Sequence, residues 1–139
     1  TKAGFDVLVE ADPAFYTQHG KTGLGSSAAV VVAVTAAVAR ALGWEGDVFG
    51  AAQLAHCAAQ GKIGSGFDVS AAMRGSQHYV RFPAENLPLD SVVCTDGSAT
   101  VSTPSSVLVG PLGELTAPLQ LPAGWDVVLG QCAGGSSTV

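Results

Sequence analysis

The main apolar segment of the chain covers residues 26–42, where alanine, valine, leucine and threonine occupy nearly every position. Its length and the glycine that follows, Gly43, are typical of a helix. Residues 30–32, all valine, would suit a strand equally well on propensity alone, but the whole segment is long for a strand. Because no polar face interrupts the pattern, we expect this helix to be buried on every side.

A second helix is predicted over residues 48–60. Asp47 has the residue type of an N-cap, and Gly61 has that of a C-terminal stop. The predicted inner face consists of three apolar residues: Leu54, Ala55 and Ala58. His56 and Gln60 are four residues apart and therefore share a face of this helix. They would either line a site or form an ordinary solvated or satisfied polar pair, and the pattern leaves both interpretations open.

A short third helix is predicted over residues 69–74, with Asp68 as its N-cap and Gly75 at its end. Three segments have the composition of strands: residues 5–10, 77–82 and 125–130. Proline, glycine, serine and threonine are frequent in residues 84–121, where we expect loops and edge strands, with short apolar runs at 91–94 and 107–109.

Composition narrows the class of protein. Of the 139 residues, 47% are hydrophobic and only 12% are charged, which is enough apolar material for the core of one globular domain. The formal net charge of −5 and the lack of a basic run argue against a nucleic-acid or anionic-membrane surface. The apolar run at 28–42 contains Arg40 and is too short for a membrane span. Cys57, Cys94 and Cys132 have no metal-like spacing, so we expect unpaired thiols and a reducing compartment.

A glycine-rich segment at residues 19–25 leads directly into the first predicted helix, as a phosphate-binding loop would. Its glycines allow tight turns with outward-pointing amides, and Ser26 and Ser27 add hydroxyls at the positive end of the helix dipole. An ordinary N-cap would use the same residues, so both interpretations stay open. The Walker pattern fails because it requires glycine where the chain has Phe15, and the dinucleotide-binding pattern lacks its preceding buried strand.

A second glycine-rich segment, residues 61–66, precedes Asp68 and the short third helix. As an N-cap, this carboxylate would satisfy helix amides and contribute about 1 kcal/mol. The segment combines three glycines with Lys62 and Ser65, which is more glycine than a cap requires. Such a backbone usually approaches a ligand or another backbone closely.

The two glycine-rich segments together resemble those of the GHMP small-molecule kinases. The resemblance is carried by Lys-Thr-Gly-Leu-Gly-Ser-Ser-Ala-Ala at residues 21–29 and by Ala-His-Cys-Ala-Ala-Gln-Gly-Lys-Ile-Gly-Ser-Gly-Phe-Asp-Val at residues 55–69. It covers most of residues 1–82 and returns at 129–139. It implies an α+β fold of the two-layer α/β, ribosomal-protein-S5-like type, incomplete at both ends. Residues 1–124 would form most of the N-terminal ATP-binding domain, and residues 125–139 would begin the C-terminal domain.

Members of this family transfer the γ-phosphoryl group of ATP, with Mg²⁺, to a small molecule. The second segment, followed by Tyr-Val-Arg-Phe at residues 79–82, is most similar to eukaryotic members that act on (R)-5-phosphomevalonate in isoprenoid and sterol synthesis. The resemblance therefore implies an enzyme with that small-molecule substrate and no nucleic-acid or membrane partner, in the cytoplasm or the peroxisome. Two alternatives stay open: a kinase of mevalonate or homoserine, and a truncated module that binds nucleotide without turnover.

The resemblance also implies roles for individual residues. The triphosphate would be wrapped by five residues, of which the last would contact Mg²⁺: Gly23, Leu24, Gly25, Ser26 and Ser27. Asp68 matches the candidate catalytic aspartate, and Lys21 and Lys62 fall where a cation could meet the phosphates. Five further residues would bind the acceptor or close the site around it: Ser65, Gly66, Gly134, Gly135 and Ser136.

Departures from the family pattern bear on this site. Related kinases place a Mg²⁺-binding glutamate on the helix before the catalytic aspartate, whereas no glutamate lies between Asp47 and Asp68. Other members have an acidic residue where this chain has Gln131, beside the third motif. The family's first lysine-containing motif and most of its C-terminal domain are also missing from the sequence. We therefore expect a piece of a longer protein that is inactive alone.

Overall fold

A computed structural model of the chain describes residues 4–18, 20–87, 92–95, 98–101 and 114–128. Within these ranges the chain forms three α-helices: α1 (Ser26–Ala41), α2 (Val48–Gln60) and α3 (Phe67–Arg74). Two single-turn 3-10 helices are also described, at Pro13–Phe15 and Ala84–Asn86.

The strands of the described ranges are short and form antiparallel pairs. They are β1 (Tyr16–Thr17), β2 (Gly20–Lys21), β3 (Gln77–Val80), β4 (Val92–Thr95), β5 (Ser98–Val101) and β6 (Glu114–Pro118). Strand β1 pairs with β2, β3 with β6, and β4 with β5. In the β3–β6 pair, Tyr79 lies opposite Leu115, and the register is irregular between Tyr79 and Gln77. Helices combined with antiparallel strands confirm the predicted α+β class.

The hydrophobic core lies where the three helices meet, since α1 packs against both α2 and α3. Seven buried residues form this core: Ala28, Phe49, Ala52, Cys57, Val69, Phe82 and Leu87. The last two belong to the segment after β3, which is thereby attached to the helices. Burial of these apolar side chains is the main force that holds the starts of α1 and α3 side by side.

Helices α1 and α3 begin in the same way, after a glycine in the left-handed conformation. Gly25 (φ +75°) is the N-cap of α1, and Gly66 (φ +77°) is the N-cap of α3. This conformation is costly for any residue with a Cβ, which explains the glycines. The prediction that Asp68 is the N-cap of the third helix is wrong, because Asp68 is already the second residue of α3.

The predicted bounds of the first two helices are correct to within one residue, but the predicted burial is not. Only Ala28 and Ala39 of α1 are buried within the described part of the chain, because the helix is covered only on the side that faces α2 and α3. On α2 the predicted inner face is correct only in part, since Leu54 packs against the core and Ala58 is partly buried, whereas Ala55 is exposed. The buried face is Phe49, Gly50, Ala52, Gln53, His56 and Cys57. This face includes two polar residues, Gln53 and His56, so the pattern of apolar residues alone did not identify it.

Two of the predicted strands are wrong. Residues 5–10 and 125–128 have no strand structure, and residues 129–130 lie outside the described residues. A strand requires a hydrogen-bonded neighbour, and no described strand pairs with either segment. Their apolar side chains are exposed, with Leu8 at 84% and Val128 at 90%. The predicted strand at 77–82 is observed as β3 over Gln77–Val80, and Phe82 packs into the core beyond its end. Strand β4 matches the apolar run at 91–94, whereas the run at 107–109 lies outside the described residues.

Candidate active site

A cavity of about 910 Å³ lies between the first glycine-rich loop, the first turns of α1 and the first turns of α3. Its volume is in the range of small-molecule sites in proteins. Phe15, Val32 and Phe67 contribute to its apolar wall. The lining also contains one cationic side chain, one carboxylate and a run of glycine and serine: Lys21, Asp68, Gly23, Leu24, Gly25, Ser26 and Ser27.

The β1–β2 hairpin brings Lys21 to this cavity. Thr22 connects the two ends of the hairpin, because its backbone N–H and its hydroxyl both donate to the carbonyl oxygen of Phe15, at 3.0 and 3.2 Å. Because Thr22 is fixed in this way, the backbone of Lys21 is held at the edge of the cavity. Lys21 and Asp68 are its two charged lining residues, so the cavity has a positive side and a negative side.

The glycine-rich loop has an open backbone on the cavity. Gly23 and Gly25 each have φ +75°, and a Cβ built at either position would meet no atom within 4 Å. The left-handed conformation therefore accounts for these glycines, and the empty space beside them leaves room for a ligand against the main chain. Ser26 and Ser27 follow in the first turn of α1, where the helix dipole favours an anion.

A carboxylate faces this loop from the start of α3. The Oδ1 atom of Asp68 accepts a hydrogen bond from the backbone N–H of Val69 at 2.9 Å, and the Asp68 side chain is 27% exposed. The remaining oxygen, Oδ2, lies 3.7 Å from Nε2 of His56. The carboxylate is thus anchored through one oxygen while it still reaches the cavity.

His56 lies beside the cavity and contacts two of its lining residues, whereas the sequence left open whether it lines a site or is an ordinary polar residue. It lies on the buried face of α2 and is only 5% exposed. Its Nε2 atom lies 2.9 Å from Nε2 of Gln60 and 3.4 Å from the hydroxyl of Ser27. The i, i+4 spacing correctly indicated that His56 and Gln60 share a face. What could have identified the site is that these two polar residues lie toward the end of a largely apolar helix, just before the second glycine-rich segment.

The second glycine-rich segment is held by two side chains from different elements. The hydroxyl of Tyr79 in β3 donates to the carbonyl oxygen of Ser65 at 2.9 Å, and the amide of Gln53 in α2 donates to that of Gly66 at 2.8 Å. Gly66 is buried, and a Cβ there would collide with the side chains of Gln53 and Phe82. This glycine is needed for close packing as well as for its positive φ.

Burial affects two titratable groups next to this segment. Desolvation raises the pKa of Tyr79, which keeps its hydroxyl in the protonated form that donates to Ser65. Desolvation also raises the pKa of the Cys57 thiol, with a smaller opposite effect from a backbone hydrogen bond at Gly64. Cys57 is a free thiol, as predicted, and it is buried. The side chain of Cys94 and all of Cys132 lie outside what the structure describes.

The structure brings some of the predicted site residues together and separates others. The cavity is lined by seven of them: Lys21, Gly23, Leu24, Gly25, Ser26, Ser27 and Asp68. Lys62 is exposed at the end of α2, and Lys62, Ser65 and Gly66 do not belong to the lining of this cavity. Three other predicted residues lie outside the described residues: Gly134, Gly135 and Ser136.

The chemical groups of the lining are suited to binding a nucleoside triphosphate. Backbone amides, serine hydroxyls, a lysine and a helix N-terminus are the groups that bind phosphate in proteins. For Mg²⁺ the side chains of the cavity lining offer three oxygen-bearing groups, on Ser26, Ser27 and Asp68, of which Ser27 is the predicted ligand. In the described part of the chain, no group of three or more histidine, cysteine, aspartate or glutamate residues could hold a metal ion by itself. So few side-chain oxygens fit an ion that is held largely by phosphate groups and water.

Comparison with known proteins assigns this arrangement to a family. The sequence profile of the N-terminal domain of the GHMP kinases matches residues 4–76, more than half of the chain. The chain belongs to the GHMP kinase family. The matched range contains the first glycine-rich loop, all three helices and Asp68, so every residue of the cavity lining lies in the part that is characteristic of GHMP kinases.

Curated GHMP kinases that resemble the chain have one name in common. The chain is 43% identical to the peroxisomal phosphomevalonate kinase of Arabidopsis thaliana, in an alignment that covers 85% of the chain and 26% of that protein. It is 35% identical to the phosphomevalonate kinase of Candida albicans, over 88% of the chain and 30% of the relative. It is 40% identical to that of the archaeon Saccharolobus solfataricus, over 57% of the chain and 25% of the relative.

The chain spans between one seventh and one third of the length of the curated relatives it matches. No solved structure was found to match it significantly. Among the residues that the structure describes, no helix is both long and apolar enough to cross a membrane.

Proposed function

We propose that this chain is the nucleotide-binding part of an ATP-dependent kinase that phosphorylates (R)-5-phosphomevalonate to 5-diphosphomevalonate. One observation carries the proposal: Asp68 lines a single cavity together with Lys21 and the loop from Gly23 to Ser27, although it is far from them in sequence. The names of the curated relatives support the choice of acceptor. Membership of the GHMP kinase family supports the use of ATP.

In the proposed reaction, the bond between the γ-phosphorus of ATP and its bridging oxygen breaks, and an oxygen of the acceptor's phosphate forms a bond to that phosphorus. The products are ADP and a diphosphate ester. The transition state is loose and strongly anionic, so catalysis depends mainly on positioning and on neutralising charge. The cation of Lys21, the loop amides and the positive end of the α1 dipole meet that requirement.

Asp68 has an orienting role in this proposal. The second pKa of a phosphate monoester is about 6, so the attacking oxygen is already largely ionised near neutral pH and has little need of a base. Asp68 would therefore mainly orient a lysine, the acceptor or Mg²⁺, and would take a proton only secondarily. Its fixed position on the cavity, with one oxygen bound to the N–H of Val69, is consistent with orientation.

Mg²⁺, when bound by Ser27 and Asp68 together with the nucleotide phosphates, supplies positive charge that neutralises the triphosphate. The acceptor would lie beyond the phosphates, near Lys62, Ser65 and Gly66. Gly134, Gly135 and Ser136 would help to close the site. Residues 1–124 would form most of the ATP-binding domain, and residues 125–139 would begin the C-terminal domain. The cytoplasm, with the peroxisome as the alternative, is the proposed location.

The test is release of ADP by the full-length protein that contains this chain, with Mg²⁺ and ATP, in parallel assays with phosphomevalonate, mevalonate and homoserine. We expect turnover with phosphomevalonate alone. Turnover with one of the other two acceptors would retain the kinase and overturn its substrate. A folded protein that binds ATP but releases no ADP with any acceptor would instead support a non-catalytic nucleotide-binding module.

A further inference from the structure

His56 connects the two helix starts that line the cavity, although it does not line the cavity itself. Ser27 belongs to the first turn of α1 and Asp68 to the first turn of α3, whereas His56 comes from the middle of α2. Its Nε2 atom is 3.4 Å from the Ser27 hydroxyl oxygen and 3.7 Å from Oδ2 of Asp68. One ring nitrogen is therefore adjacent to polar side chains from both sides of the cavity.

We propose that His56 is a positioning residue, which orients the hydroxyl of Ser27 beside the carboxylate of Asp68. This inference rests on the proposed kinase function, because the orientation of this hydroxyl matters only if it acts on a nucleotide and its metal ion. His56 would act through Ser27 and would not touch the substrate.

Burial makes the contact of His56 specific. The residue is 5% exposed, so water has little access to replace the imidazole as a partner. Burying a polar ring is unfavourable unless its nitrogens are hydrogen-bonded. An apolar side chain could fill the same space between the helices without that cost. A leucine at this position could fill the space, but it could not provide the polar contacts that Nε2 makes.

The direction of these hydrogen bonds determines whether the lone pairs of the Ser27 hydroxyl oxygen are available to a ligand in the cavity. The Gln60 atom nearest to Nε2 is its amide nitrogen, at 2.9 Å, and this group is a donor. In the tautomer whose proton is on Nδ1, Nε2 accepts from this amide, and the hydroxyl of Ser27 can donate its proton toward Nε2 as well. A hydroxyl that donates toward His56 keeps its lone pairs available on the cavity side. There they can bind a cation or accept a hydrogen bond from a ligand.

Two polar substitutions separate this role from simple packing. The amide of a glutamine reaches the position of Nε2, whereas the shorter asparagine reaches only that of Nδ1. His56→Gln should therefore retain an acceptor for Ser27, and His56→Asn should lose it while it remains polar. We expect His56→Asn to lower kcat about tenfold or more, with the KM for ATP changed less than about threefold. His56→Gln should recover most of the loss.

The same variants test whether His56 acts through Ser27. In a Ser27→Ala background there is no hydroxyl to orient, so His56→Asn should cost much less than it does in the unmodified protein. His78→Asn, at an exposed position of β3, is the matched control and should leave kcat unchanged. Thermal unfolding and calorimetric binding of ATP, measured on every variant, detect a loss that comes only from misfolding.

All measurements use the full-length protein with the acceptor that it turns over. Equal kcat values for the His56→Asn and His56→Gln variants, or fully additive effects with Ser27→Ala, would overturn the positioning role while the kinase function stands. Loss of ATP binding and of thermal stability in both variants would show that His56 is purely structural, and would overturn it as well. An unmodified protein without turnover would overturn the proposed function, and this inference with it.

Discussion

The side-chain amide of Gln53 donates a 2.8 Å hydrogen bond to the carbonyl oxygen of Gly66, and this bond joins the middle of α2 to the N-cap of α3. Both residues are buried, and Gln53 has no exposed surface at all. The backbone of Gly66 is thus packed directly against a side chain of the neighbouring helix. This contact fixes the start of α3 two residues before Asp68.

Substitution of Gly66 by alanine should destabilise the protein strongly. The new methyl group would be in the left-handed region at φ +77°, and it would collide with Gln53 and Phe82. We expect a loss of about 1 kcal/mol from the backbone and a further 1–3 kcal/mol from overpacking. Gly25→Ala is the matched control, because Gly25 has φ +75° but open space around it. Chemical denaturation of both variants measures the difference, and equal losses would show that packing at Gly66 is unimportant.

Much of the fold near the site could be predicted from local sequence signals. Helices α1 and α2 have clear boundaries, because Gly43 and Gly61 are typical helix stops and both helices are long. The predicted loop residues 23–27 and Asp68 line one cavity, a grouping that the family resemblance implied and that local signals alone did not. The first glycine-rich turn left a phosphate-binding loop and an ordinary N-cap open, and phosphate binding there stays a prediction.

What could not be predicted depends on contacts between distant residues. The inner face of α2 includes Gln53 and His56, which have polar partners on other elements: the carbonyl oxygen of Gly66 for Gln53 and the hydroxyl of Ser27 for His56. A pattern of apolar residues assigns such side chains to solvent. Similarly, residues 5–10 have the composition of a strand, but strand formation requires a neighbour that composition cannot reveal.

The thiol of Cys57 should react slowly in the native protein. Burial raises its pKa, so at pH 8 a smaller fraction is in the reactive thiolate form than for an exposed cysteine. Alkylation by iodoacetamide should be at least about tenfold slower than in guanidinium chloride, and its rate should continue to rise above the pH at which an exposed thiol levels off. Peptide mass spectrometry can follow Cys57 separately from Cys94 and Cys132. Equal rates in native and unfolded protein would contradict the burial of this thiol.

The guanidinium of Arg74 should stabilise the contact between α2 and α3. Its central carbon lies 3.9 Å from the centre of the Phe49 ring, and Phe49 is buried in the core. A double-mutant cycle with Arg74→Met, which keeps an unbranched apolar stem, and Phe49→Leu isolates this contact. We expect a coupling free energy of about 0.5–1 kcal/mol from chemical denaturation. A coupling that is zero within error would mean that the arginine contributes no cation–π interaction.

The two lysines of the glycine-rich segments should affect different substrates. Lys21 lines the cavity, whereas Lys62 is exposed outside it. Hydrogen bonds to charged groups contribute about 1.5–3 kcal/mol, so Lys21→Met should raise the KM for ATP about tenfold or more. Lys62→Met should instead raise the KM for the phosphorylated acceptor. Steady-state kinetics of the full-length protein, with Arg40→Met at the far end of α1 as a control, distinguish the two. Unchanged kinetics for Lys21→Met would remove it from the phosphate site.

Asp68→Asn should greatly reduce turnover without disturbing the fold. Asparagine keeps the Oδ1 atom that accepts the hydrogen bond from Val69, so α3 should start as before. It removes the negative charge that we propose to orient the groups in the cavity, and we expect kcat to fall by about 100-fold or more. Asp47→Asn is the control, because Asp47 precedes α2, makes no side-chain capping bond and is not part of the cavity lining.

Thermal unfolding of the Asp68→Asn and Asp47→Asn variants should be close to that of the unmodified protein, so that a difference in kcat reports on chemistry alone. Near-normal turnover of a folded Asp68→Asn variant would exclude both the orienting and the proton-accepting role. A large rise in the KM for the acceptor with kcat unchanged would have a different meaning. It would mean that Asp68 binds the substrate equally strongly in the ground state and in the transition state, since only interactions that strengthen in the transition state change kcat.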